Sequence, residues 1–217
     1  MSGEVFRKSI HISSLAVPIF YSFFSKSQVL MFLLPMTVFA VFVDYGRHYI
    51  PCVDRFFKWL FGPILREHEQ DNSKKLISGG SYVLISACLS IIIFPKVIAI
   101  TAFAILIISD AISALIGRRF GKRPFLDKSI IGSTSFALSA FIVVFLSPKA
   151  LGLPIEYVIG CIAAMVGTLV EAMSVRLKLD DNFSVPSSIG LTMWLGYFLL
   201  TLSSDPIYEK LFTVLMQ

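Results

Sequence analysis

Asp110 lies inside the apolar stretch "IISDAISALIGRRFGK" (residues 107–122), just ahead of Gly117 and the cations Arg118, Arg119, Lys122 and Arg123. A carboxylate in an apolar helix costs at least about 2.5–3.5 kcal/mol on insertion scales, so it normally lines a polar cavity and serves a function. Ser113 and Gly117 follow Asp110 on one helical face. The plainer reading is a carboxylate paired with a nearby cation to lock helices together. The chain continues "GRRFGKRPFLDKSIIGS", in which Arg118, Arg119, Lys122, Arg123 and Lys128 surround Gly121 before Ser129, Gly132 and Ser133 open a new helix. Cations, glycines and the free N–H groups of a helix start form a phosphate cradle. This is no Walker loop: its glycines are one residue too close, and Arg123 stands where Ser or Thr is required. The plainer alternative is a basic loop resting on anionic lipid.

A second acidic group lies in "VEAMSVRLKLDDNFSVPSS". Glu171 closes one apolar run, and Asp180, Asp181 and Asn182 precede the next. Such hard oxygen donors suit Mg²⁺, which proteins hold with one or two carboxylates plus substrate phosphates. Asp181 or Asn182 could equally cap a helix. Arg7, Lys8 and His11 cluster in "FRKSIHISS", and "REHE" (Arg66 to Glu69) adds a further polar group. Arg7 or Lys8 alone would be an orientation signal, and His11 alone a hydrogen-bonded helix histidine.

The elements that must carry these residues are apolar. The 217-residue chain is 56% hydrophobic and 15% charged, with 20 phenylalanines. Its mean hydropathy is +0.80. Soluble domains are about 25% charged, so the composition predicts an all-α polytopic membrane bundle forming one domain over residues 1–217. Apolar spans are expected at 10–25, 28–43, 79–95, 97–117, 130–147, 154–175 and 184–203, the first two short for a crossing. Continuous rather than alternating apolarity excludes a β-barrel. Of the 19 Lys and Arg, all but Lys26, Lys96, Lys149 and Lys210 fall on one side of that arrangement. The positive-inside rule makes that side, with the N-terminus, cytoplasmic. "YIPCVDRFFKWLFGPILREHE" reads as an interfacial amphipathic helix, with Phe56, Phe57, Leu60, Phe61 and Ile64 at helical spacing. Cys52, Cys88 and Cys161 have no metal-type or paired spacing. No small-x-small cleavage site follows "FYSFFSKSQ", which predicts a retained first helix rather than a removed signal. Gly160, Ala164 and Gly167 form a packing stripe that meets either the same chain or a second subunit of a homodimer.

Cations and acids from four segments thus fall on one membrane side, where they could converge on a metal-bound phosphate compound. The chemistry expected is phosphoryl or nucleotidyl transfer to or from a lipid. No Cys/His or Ser/His/Asp set competes, and nothing points to nucleic acid.

The stretches "RKSIHI", "REHE" followed by "SGGSYVLISA", "SDAISALIGRRFGK", "KSIIGS" and "VEAMS…DDNFSVP" carry a resemblance from Arg7 to Pro186. In order and spacing the chain resembles the CTP-dependent lipid kinases, the dolichol kinase, phytol kinase and CTP-using diacylglycerol kinase group, which are related to phosphatidate cytidylyltransferases. The resemblance implies transfer of the γ-phosphate of CTP, with a divalent metal such as Mg²⁺. It matches the family's Arg–Lys pair to Arg7 and Lys8, its aspartate to Asp110 and its glycine to Gly117. Its Lys–Ser–x–x–Gly–Ser element falls on Lys128 through Ser133, and its acidic pair on Asp180 and Asp181. The long cytidylyltransferase signature is absent, which favours the kinase over the CDP-lipid-forming alternative.

The combined expectation places CTP at the cytoplasmic face, its phosphates on the basic loop, the following helix start and Asn182. Asp110, with Asp180, Asp181 or Glu171, is expected to hold the metal, Lys8 or Lys128 to offset developing charge, and a lipid alcohol to enter from the bilayer. Asp110 could instead be the base. A transporter without chemistry is the remaining alternative.

Overall fold

The computed structural model describes residues 11–61, 77–203 and 205–216; Arg7, Lys8 and the "REHE" segment lie outside the described residues. After a helical turn at residues 11–13 come α1 (Ala16–Phe23), α2 (Lys26–Gly46), α3 (Pro51–Phe61), α4 (Gly79–Ile93) and α5 (Lys96–Phe120). The short strands β1 (Pro124–Phe125) and β2 (Lys128–Ser129) lead to α6 (Ile130–Leu146), α7 (Pro154–Ala172), α8 (Ser174–Leu177), α9 (Asp181–Thr201) and α10 (Pro206–Met216).

Each of the seven predicted apolar stretches is helical. Among the described residues α2, α5, α7 and α9 are long and apolar enough to cross a membrane, while His11–Phe23, α4 and α6 are shorter apolar helices. The expectation of a short second span is corrected, because α2 runs for 21 residues. Its start is fixed by a capping box: Gln28 N–H donates to Ser25 Oγ, and Ser25 N–H donates to Gln28 Oε1 at 2.9 Å. The expected amphipathic segment is helical over Pro51–Phe61 (α3), with Phe56 and Trp59 exposed and Phe57 buried beneath Arg47, while Ile64 lies outside the described residues. The hairpin, α8 and α10 go beyond the sequence expectation, and the hairpin adds two short paired strands to an otherwise helical chain.

α5 forms the centre, with every residue from Ile98 to Ile107 buried. It packs on α6, α9, α1 and α4, while α7 packs on α9 and α6. Glycines set the closest of these contacts. A Cβ on Gly160 would press on Val144 of α6, and one on Gly167 on Ile189 of α9. The small-residue stripe therefore meets helices of the same chain.

Short connections at Phe24–Ser25 and Phe94–Pro95 reverse the chain, so the two ends of the bundle differ chemically. At one end, polar groups close helix termini. Lys26 donates to Ile92 O, and Lys96 to Phe24 O. Lys149 donates to Val144 O and Ser147 O. Glu156, fully buried, accepts from the backbone of Ala150, Leu151 and Leu153 and from Tyr197 OH. These groups are spent on the fold. The opposite end gathers the candidate chemistry.

Candidate active site

Four elements bring the site together. Lys128 on β2 lies 3.0 Å from Glu171 Oε1, in the last turn of α7, and 3.8 Å from Asp181 Oδ2, in the first turn of α9. Ser113 on α5 donates to the same Glu171 oxygen at 3.4 Å. Asp110, one turn deeper on α5, lies 3.5 Å from His11 Nε2. Burial alone would lower the Lys128 pKa, but Glu171, Asp181 and Asp110 outweigh it and hold the ammonium above the ordinary lysine value. Glu171 is 1% exposed, and among the described residues its Oε2 has no hydrogen-bond partner.

The hairpin positions Lys128. Phe125 pairs with Lys128 and Pro124 with Ser129, and Leu126 takes a left-handed φ of 53° at the tip. Asp127 ties this hairpin to α7 and α8: its N–H donates to Ala172 O, and its carboxylate accepts from Arg176 N and Arg176 Nε. Asp127 and Arg176 carry no motif signal. Their role is visible only through this contact.

The glycines of "GRRFGK" and "KSIIGS" serve a close approach of α5 to the start of α6. A Cβ on Gly117 would lie 3.2 Å from Gly132 Cα, so neither position admits a larger residue without displacement. Gly121 N–H closes α5 by donating to Gly117 O at 2.8 Å, and a Cβ on Gly121 would collide with that carbonyl and with Ser129. Ser129 caps α6 by accepting from Gly132 N–H at 3.1 Å. Ser133 is buried one residue further on, and its hydroxyl has no partner among the described residues.

The acidic pair divides its work. Asp180 caps α9, its Oδ1 accepting from Asn182 N and Asn182 Nδ2, whereas Asp181 turns to Lys128. The helix-cap expectation thus falls on Asp180 rather than on Asp181 or Asn182. Pro186 lies inside α9 and cannot donate to the Asn182 carbonyl, which leaves that oxygen without its helical donor. Arg118, Arg119, Lys122 and Arg123 are exposed, and Arg119 packs over the Phe120 ring at 5.4 Å.

A second polar group went unread in the sequence. Asp44 of α2, 1% exposed, accepts from Ser78 N and Ser78 Oγ at the start of α4. Arg47 lies 3.9 Å from its other oxygen and covers the Phe57 ring at 4.4 Å. The "SGGSY" cap is the only local signal for it.

Among the described residues no three His, Cys, Asp or Glu side chains form a ready metal cage. The donor set still suits a divalent ion shared with phosphates. The Glu171 and Asp181 carboxylates meet one ammonium, and Glu171 Oε2 is buried without a hydrogen-bond partner among the described residues.

The fold and site define a helical, membrane-type protein with a charged cluster at one end of its bundle. No family model and no solved structure match the chain. The uncharacterized protein RP860 of Rickettsia prowazekii is 34% identical over 194 residues, covering 89% of this chain and 95% of that protein, and the chain belongs to its family. Protein MJ1137 of Methanocaldococcus jannaschii is 24% identical over 188 residues, covering 84% and 88%. A rice protein (Oryza sativa subsp. japonica) named probable phytol kinase 1, chloroplastic, is 33% identical over 146 residues, covering 60% of this chain and 45% of that protein. The chain therefore spans less than half the length of that plant relative.

Proposed function

We propose that this chain is a lipid-alcohol kinase of the bilayer, transferring the γ-phosphate of CTP to the hydroxyl of a membrane lipid at the cytoplasmic face. The observation that carries the reading is the meeting of Lys128, Glu171 and Asp181 beside the His11–Asp110 pair. The similarity to a protein named phytol kinase supports kinase chemistry on an isoprenoid alcohol. CTP as donor rests on the resemblance of "SDAISALIGRRFGK" and "KSIIGS". The gathering of charge at one end, with no comparable cluster at mid-bundle among the described residues, disfavours a transporter.

In this reading the triphosphate lies against Lys128 and the start of α6, where the Ser133 hydroxyl is buried with no partner among the described residues. Glu171 and Asp181 would hold Mg²⁺, which offsets charge on the transferring phosphoryl group. Ser113 and Lys128 fix one Glu171 oxygen and so orient its carboxylate. The lipid oxygen bonds to the γ-phosphorus, the bond to the β-phosphate oxygen breaks, and CDP leaves. Asp110, next to His11, takes the hydroxyl proton. Such a transfer depends mainly on alignment and electrostatics.

Purified protein is incubated with γ-labelled CTP or ATP and with phytol, farnesol, polyprenol, diacylglycerol or phosphatidate, the last being the lipid phosphate from which a CDP-lipid would form. Label on the lipid, with CDP released, is the expected result. A CDP-lipid with labelled pyrophosphate would assign the chain to the cytidylyltransferases, and no CTP consumption with any lipid would overturn both enzymatic readings.

A further inference from the structure

We infer that the β1–β2 hairpin and α8 together form a docking surface for anionic phospholipid headgroups. The Asp127–Arg176 contacts and the Asp127 N–H bond to Ala172 O hold residues 125–128 beside residues 175–177, so two segments distant in sequence make one surface. That surface mixes two residue classes. Phe125, Leu177 and Leu179 are 37%, 44% and 51% exposed. Arg123, Lys122 and Lys178 lie exposed between and around them. Exposed apolar side chains interleaved with cations suit the headgroup layer, where apolar groups enter the acyl boundary and cations meet phosphate.

Charge complementarity selects the occupant. The only acid within 118–128 and 174–179 is Asp127, already taken up by Arg176, so the surface is strongly positive. It lies just past the ends of α5 and α7, two helices long and apolar enough to span, which puts it at headgroup depth. Lys122, Arg123 and Lys178 are exposed while Lys128 is taken up by Glu171 and Asp181, which gives the basic loop a role separate from that of the cluster. The inference stands apart from the catalytic reading and holds whether or not the chain is a kinase.

A full-length reporter chain carries Trp59→Phe, Trp194→Phe and Phe125→Trp and is placed in phosphatidylcholine nanodiscs containing brominated phosphatidylglycerol or brominated phosphatidylcholine. Stronger quenching by the brominated phosphatidylglycerol at low salt is expected, narrowing at high salt. In the reporter chain, Arg123→Gln with Lys178→Gln reduces this preference by roughly fivefold per cation removed. Native mass spectrometry of the unsubstituted chain provides a check free of reporter effects, with phosphatidylglycerol retained over phosphatidylcholine. Equal quenching by the two lipids, a solvent-like unquenched reporter, or indiscriminate lipid retention overturns the proposal.

Discussion

Lys128 Nζ lies 3.0 Å from Glu171 Oε1, joining the strand before α6 to the last turn of α7. Removing one partner of such a pair strands the other charge, whereas replacing both removes the conflict. Lys128→Met should therefore destabilise the protein by about 3 kcal/mol, and Lys128→Met with Glu171→Gln should regain part of that loss. Thermal unfolding in detergent across the double-mutant cycle measures this. Strictly additive losses would show that the two groups do not interact.

The same pair sets an alkaline limit. The Lys128 pKa is held above its ordinary 10.5 by three carboxylates despite burial. A raised folded-state value contributes stability that is complete below the ordinary value and lost as pH rises through the folded one. The stability gap between the parent chain and Lys128→Met should stay constant from neutral pH to about the ordinary lysine value and close above it. A gap that closes on acidification through neutral pH would contradict this assignment.

Asp110 carries the proton in the proposed reaction. Asp110→Asn keeps the shape and a polar contact to His11 but removes the acceptor. Lipid phosphorylation should fall roughly 10²–10⁴-fold, with the melting temperature nearly unchanged. Unaltered turnover in this variant would remove Asp110 from the chemistry.

Gly117 and Gly121 test the approach of α5 to α6. A Cβ on Gly117 needs only a small backbone shift against Gly132, so Gly117→Ala should cost about 1–3 kcal/mol. Gly121→Ala should cost more, since its Cβ meets a backbone carbonyl and the Ser129 cap together. Folding yield and melting of the two variants rank them, and equal tolerance would mean that the helix ends are not held so closely.

Asp127 and Arg176 act on the site through the hairpin. Arg176 is largely exposed, so Arg176→Ala should cost no more than about 1 kcal/mol of stability. Misplacing Lys128 by about 1 Å would lower turnover by up to about 10²-fold. Stability and rate measured on one preparation separate these effects, and parallel losses would reduce the clamp to a purely structural contact.

Much of the fold was legible because apolar runs and their caps are local. The seven apolar stretches, the α3 amphipathic segment and the polar clusters at span ends all follow from residue order. The C-terminal helix α10 and the two-residue strands were not legible, being short and stabilised by contacts elsewhere. Asp44 and Ser78 escaped for a related reason: each residue type is ordinary at its own position, and only the bond between α2 and α4 makes them a pair.

Sequence alone determined that carboxylates and cations sit at the ends of apolar helices, because burying them mid-span is costly. Tertiary structure alone decided which of them meet. It brought Lys128 to Glu171 and Asp181, turned Asp180 into a helix cap, and left Arg118, Arg119 and Lys122 exposed. Charge type can be read one residue at a time. A site of this kind depends on distances between segments, and those are set by helix packing through glycine contacts that no single segment encodes.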